Sequence, residues 1–185
     1  MKLLDAIETR RSIKSFRSKK VSWSDILEAI DAASKAPFAG NINNLKFIII
    51  EDQETKNKIG KHTQQFWLTD AQFIIIVCSD ESQLINQYNE RGKIYSRQHA
   101  GAAIENFLLR ITDIGLSSCW IGAFSDELIK QVLKIPEHIN IEAILPVGYA
   151  MKKVKMPKKA VLENLMYWEA WKISKKPTRS KDPKI

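Results

Sequence analysis

Only two cysteines, three histidines, seven glycines and six prolines occur in 185 residues. Two cysteines cannot build the disulfide framework of a small secreted domain. Cys78 lies inside the apolar run FIIIVC and Cys119 in SCWIG. Each therefore reads as a small buried strand residue and not as half of a disulfide. His62, His99 and His138 stand far apart without metal-ligand spacing, so no metal site is expected. The longest apolar runs, residues 73–78 and 47–50, fall far short of a membrane span. In the opening MKLLDAIETRR, Asp5 and Glu8 interrupt what a signal peptide would keep apolar. A cytoplasmic protein without membrane contact is expected. No G-x-G-x-x-G follows an expected strand, no G-x-x-x-x-G-K occurs, and no nucleophile has a base nearby in sequence. An enzyme built from this chain would draw its hard chemistry from a cofactor.

What is present describes a packed protein. Apolar residues make up 44% of the chain, enough for one globular unit with its own core. The formal charge of +8 raises the question of a polyanionic partner. Much of the excess sits in MKKVKMPKK at 151–159 and in KISKKPTRSKDPKI at 172–185, which disfavours a nucleic-acid face. The expected organisation is a domain over 1–171 and a flexible basic tail over 172–185.

Periodicity and punctuation predict the elements. A helix is expected over 2–9, and a second from the Ser22 N-cap to Lys35, stopped by Pro37. Residues 36–44, with Gly40 and three asparagines, read as a loop leading to a strand at 46–51. A polar helix is expected over 55–66. Ala71–Ser79 reads as a strand buried on both faces, because its apolar residues are continuous. Residues 98–115 carry Ile104, Phe107, Leu108, Ile111 and Ile114 at helical spacing, with Gly115 as the stop, and predict the central helix. A strand at 117–121, a helix opened by Ser125 and a strand at 142–149 complete an α+β order with a central sheet.

The chemistry-bearing stretch is RRSIK at 10–14. Guanidinium forks on Arg10 and Arg11, the Ser12 hydroxyl and the Lys14 charge suit an anionic phosphate. Alone, the same residues also fit favourable charge placement at a helix C-terminus. Three further stretches follow in order: APFAGNINNLKFIII, GAAIENFLLRITDIGLSSCWIGAF and PVGYAMKKVKMPKKAVLENL. With these the sequence resembles the nitroreductase family of FMN-dependent oxidoreductases over about residues 1–170. That family has an Arg-Arg-Ser opening, an Asn-containing loop before a strand, a Gly-x-x-Trp-x-Gly turn after its central helix, and Gly-Tyr before a basic Pro-containing segment.

The resemblance implies an α+β fold with a mixed or antiparallel central sheet flanked by helices, and a homodimer that exchanges its C-terminal segment, anchored by Trp168 and Trp171. It implies FMN as cofactor and NAD(P)H as reductant. Arg10, Arg11 and Ser12 would hold the ribityl phosphate with Lys158 and Lys159, and Lys14 would lie near N1 and O2 of the flavin. Pro37, Phe38, Ala39 and Asn41 would cover the flavin of the partner subunit, Gln64 would meet the pyrimidine edge, and Gly122 and Ala123 would face N5. No side chain is implied as proton donor. Phe38 stands where the family usually has Ser, and Asn43-Asn44-Leu45 replaces Gln-Pro-Trp. Residues 86–98 read as a lid. The implied activity is ping-pong hydride transfer from NAD(P)H to an electron-poor small molecule, a nitroaromatic or a quinone. Two alternatives stay open: a basic polyanion-binding protein on the same fold, and a flavin enzyme for a special task such as dehalogenation.

Overall fold

The computed structural model describes residues 2–175 of the chain. Residues 176–185, most of the expected basic tail, lie outside that range. Two compact units divide the chain after Val154, so the expected boundary at 171/172 falls inside the second unit.

The first unit is built on β3 (Phe73–Ser79), in which every residue is buried. It lies between β2 (Leu45–Ile50) and β5 (Asn140–Ala150), antiparallel to both. β1 (Phe16–Arg17) and β4 (Ser117–Ser118) pair antiparallel with β5 on its other side. Among the described residues, parallel pairing is confined to one isolated bridge, Ser12 with Ser118. β1 was not expected, because two residues carry no period.

Alternation along β3 divides the core. Phe73, Ile75 and Val77 join one cluster with Ile26, Ala29 and Ala33 of α2 (Trp23–Ser34) and with Ala103, Ile104, Phe107 and Ile111 of α5 (Glu90–Asp113). Ile74, Ile76 and Cys78 join a second with Ile59 of α3 (Gln53–Thr63) and Ile129 of α6 (Asp126–Leu133). The continuous apolar run thus serves two helical layers, and each fully buried Ile contributes about 1.5–3 kcal/mol. The buried Lys56 ammonium donates to the Ala71 carbonyl at 2.8 Å and ties α3 to the start of β3. Burial pushes its pKa down. Cys78 and Cys119 are both free and buried, as the sequence indicated, and burial pushes the Cys78 thiol up to about 11.

Helix ends follow the local signals where these are strong. α1 covers Leu3–Thr9. The Ser22 hydroxyl caps α2 by accepting from the Ser24 amide at 3.3 Å. Gly115, at φ 81°, takes the left-handed position after α5, and the Leu116 amide donates back to the Ile111 carbonyl at 2.9 Å. Several boundaries differ from expectation: α5 begins at Glu90 and not at 98, and β4 stops at Ser118, with an isolated bridge at Ile121 in place of the rest of the expected 117–121 strand. α3 ends at Thr63, because Gln64 itself turns left-handed at φ 54°. The expected lid is mostly helical, comprising the end of α4 (Ser82–Tyr88), a reversal at Asn89 and the first turns of α5. That reversal packs tightly: a Cβ on Gly92 would lie 2.4 Å from the Leu84 carbonyl.

The second unit, from Lys155, contains one short 3-10 turn at Leu162–Leu165, and Tyr167 meets Trp171 edge-on at 4.8 Å. Leu162, Leu165 and Trp171 are exposed.

Candidate functional site

The segment leaving α1 is extended and fixed to β4. Its Ile13 amide donates to the Ser118 carbonyl at 3.0 Å, while the Ile13 side chain is buried with Phe16 and Ala71. This anchoring brings Arg10, Ser12 and Lys14 to Cys119. Burial pushes the Cys119 thiol pKa up, opposed by the Lys14 charge, a Ser12 hydrogen bond and the Arg10 charge. Lys14 also places its ammonium 5.7 Å from the centre of the half-buried Trp67 ring. Arg10 forms an ion pair with Glu105 of α5 at 3.4 Å, a partly exposed contact worth about 0–1 kcal/mol.

Arg11 goes elsewhere. It lines a cavity of about 390 Å³ with Arg17, Thr112, Lys152 and Lys153. It donates to the Arg10 carbonyl at 2.6 Å, and its buried Nε has no partner among the described residues.

Past Cys119, the chain exposes Trp120, buries Ile121 against Ile144, and presents Gly122 and Ala123 to solvent. No atom lies within 4 Å of the place a Cβ would take on Gly122, so the space over this turn is open. Gln64, the expected edge contact, is exposed at the end of α3. Its neighbour Gln65 donates from Nε2 to the Ala123 carbonyl at 3.3 Å. The early left-handed stop of α3 thus brings Gln65, which sequence reasoning missed, to the turn. Had the Thr63-Gln64-Gln65 stretch been read as a terminus, either glutamine could have been the one.

The 37–41 loop stands on α4 and α5. Pro37, Gly40 and Asn41 are exposed and Phe38 and Ala39 half-buried. Gly40 and Asn41 are both left-handed, at φ 59° and 57°. A Cβ on Gly40 would come within 2.7 Å of the Tyr88 hydroxyl, so glycine answers both the backbone geometry and the close approach. Phe38 packs on the first core cluster and meets the His99 ring edge-on at 5.1 Å. Beneath it runs a buried polar chain. The Ala39 amide donates to His99 Nε2 at 2.7 Å, His99 Nδ1 pairs with Asn44 Oδ1 at 3.0 Å, and Asn44 Nδ2 donates to Ser96 Oγ at 2.8 Å. His99 was missed as a site residue. Its signal was visible: Ser96 and His99 are polar residues on the face that continues into Ala100, Ala103, Ile104 and Phe107. Lys158 and Lys159 are exposed in the second unit. Among the described residues no group of His, Cys, Asp and Glu could hold a metal ion, and no helix is long and apolar enough to cross a membrane.

Comparison with known proteins adds ancestry to this geometry. A family model described as Nitroreductase family matches residues 7–69 and 61–149. A protein of Archaeoglobus fulgidus, named as an NADH dehydrogenase/NAD(P)H nitroreductase, is 32% identical over 151 residues, spanning 79% of this chain and 84% of the relative. A solved nitroreductase family protein from Clostridium novyi superposes with a TM-score of 0.74 at 27% identity, covering 93% of this chain and 96% of the other. An FMN-dependent nitroreductase from Clostridium difficile shares the fold at a TM-score of 0.78 and 21% identity, covering 91% and 99% of the two chains.

Proposed function

This chain belongs to the nitroreductase family, and from that premise we propose that it is a homodimeric, FMN-dependent NAD(P)H oxidoreductase acting on electron-poor small molecules such as nitroaromatics or quinones. The observation that carries the reading is the convergence of Arg10, Ser12 and Lys14 on Cys119, which directly follows β4 and leads on to the open Gly122–Ala123 turn. Names among the similar proteins, NAD(P)H nitroreductase and FMN-dependent nitroreductase, support cofactor and reductant.

The residues present fit the cofactor. Its phosphate needs charge-assisted donors, which Arg10 and Ser12 can supply; Lys158 and Lys159 are candidate cations from the family resemblance alone. A flat ring needs an unobstructed surface, and the space over Gly122 is free of neighbouring atoms. When bound, FMN supplies hydride acceptance from NAD(P)H and delivery to the second substrate in ping-pong order.

The protein's own part is position and charge. Lys14, whose ammonium lies 5.7 Å from the centre of the Trp67 ring, would put a cation beside N1 and O2 of a bound flavin, which would favour its reduced state. The Gly122 amide can donate to N5, and the lack of a side chain there leaves room for nicotinamide. Gln65, bonded to the Ala123 carbonyl, steadies that turn. Pro37, Phe38, Ala39 and Asn41 of a second copy would cover the ring. The C-terminal segment would cross between copies, which accords with the exposure of Leu162, Leu165 and Trp171.

The test is an anaerobic absorbance scan of purified protein before and after NAD(P)H. A flavin spectrum that bleaches with reductant and returns with a quinone is the expected result. A colourless protein that takes up no FMN, and binds nucleic acid with steep salt dependence, would overturn the reading in favour of a polyanion-binding protein.

A further inference from the structure

The 38–41 turn is held partly from outside itself. Gly40 and Asn41 are consecutive left-handed residues, and the backbone bonds within the turn are Asn41 N–H to Phe38 O at 3.0 Å and Ile42 N–H to Ala39 O at 3.1 Å. The first amide of the turn, Ala39, points instead to a side chain sixty residues away, His99 on α5. Because Nε2 accepts from that amide, the ring proton resides on Nδ1 and is donated to Asn44 Oδ1. Asn44, with its oxygen occupied, turns its amide to Ser96. Each member fixes the polarity of the next, and the chain ends on the turn.

We propose that His99 is a positioning residue: its neutral, Nδ1-protonated imidazole is the acceptor that sets the 38–41 turn, and protonation of the ring releases the turn and weakens FMN retention. The inference rests on the assignment of that turn to the flavin site. A second proton on the ring would sit on Nε2, facing the Ala39 N–H at 2.7 Å, so that donor would meet donor. One of them must move, and the turn is the more exposed partner. The groups facing the ring are Phe38 and Ala39 from the turn, Asn44 from the start of β2, and Ser96 from α5 itself. None carries a charge. Tyr88 of α4 reaches the turn at Gly40 through its hydroxyl. The charged side chains nearby on α5 are engaged elsewhere, Arg97 with Glu81 and Glu142, and Glu105 with Arg10. With no carboxylate to welcome the cation, burial alone acts on His99 and keeps its pKa below the ordinary value.

FMN affinity of the full chain, followed by flavin fluorescence from about pH 5 to pH 8, tests this in the wild type, His99→Gln and His99→Phe. Gln offers a non-titrating acceptor near the Nε2 position, and Phe keeps the volume without any acceptor. The FMN phosphate titrates near pH 6 by itself, as phosphate monoesters do. All three proteins share that contribution, so the ratio of wild type to His99→Gln is the readout. Wild type should lose about 10-fold more affinity than His99→Gln across the range, the worth of one buried hydrogen bond. His99→Phe should bind weakly at every pH. A second measurement needs no cofactor: hydrogen exchange of the 37–42 amides, corrected for intrinsic rate, should quicken at about pH 5 in wild type and not in His99→Gln. An identical acid loss in wild type and His99→Gln, or exchange at 37–42 that ignores pH, would overturn the inference. If no flavin binds at any pH, the FMN assignment fails, and the exchange experiment still decides whether His99 sets the turn.

Discussion

Asn44→Ala tests whether the buried polar chain is one unit. Asn44 is 7% exposed and links His99 to Ser96 through its oxygen and its amide. Truncation removes two hydrogen bonds worth about 1 kcal/mol each, and strands the His99 Nδ1–H in a site that solvent does not reach, which costs about 1–3 kcal/mol more. The expected loss is about 3–5 kcal/mol. For a chain of this length that lowers the midpoint of thermal unfolding by about 6–20 °C. Urea titration gives the free energy directly, provided that the slope with denaturant is unchanged. The sharper assay is the double variant with His99→Phe. Once the imidazole is gone, Asn44 has no N–H to satisfy, so the double variant should lose about 1–3 kcal/mol less than the two single variants added together. A single-variant loss below about 1 kcal/mol, or costs that add within about 0.3 kcal/mol, would refute the idea that these residues act together.

Three further outcomes can be checked. Gly40→Ala forces a side chain into a left-handed position, φ 59°, and against the Tyr88 hydroxyl; it should cost about 1–2 kcal/mol by urea titration and weaken FMN binding. Lys14→Met should lower the flavin midpoint potential, each ~30 mV of a two-electron couple being roughly 1.4 kcal/mol, whereas Lys158→Ala with Lys159→Ala should weaken FMN affinity at nearly constant potential. Reversal of that pattern, seen in potentiometry beside equilibrium dialysis, would exchange the two assignments. The His99 pKa is held below 6.5 by burial, so below pH 6.5 the unfolded chain takes the proton more readily than the folded one. Its contribution to stability should be whole above pH 6.5 and fall as pH drops toward the folded value; a urea series in wild type and His99→Gln should differ in that acid limb alone.

Local pattern was enough for much of the framework. The unbroken apolar run at 73–78 announced β3 as central, because only a strand covered on both faces keeps no polar alternation. Helical spacing from Ile104 to Ile111 marked the buried face of α5, and Gly115 its end. The conformation of residues 86–98 was less legible: they are polar, and they are helical because Gly92 lets α5 pack on the backbone of Leu84, a fact carried by a neighbour and not by the segment.

At the site, the sequence by itself determined the inventory: a hydroxyl and three cations within 10–14, a glycine-bearing loop at 36–44, and Gly122 with Ala123. Only the tertiary structure decided which of these meet. Pinning Ile13 to Ser118 gathers Arg10, Ser12 and Lys14 at Cys119 and sends Arg11 to another cavity. A left-handed Gln64 brings Gln65 to Ala123, and the packing of α5 under the loop sets His99 beneath Ala39. Periodicity reports which side of its own element a residue faces; the residue it touches across sixty positions is fixed by how the layers pack, and no local pattern carries that information.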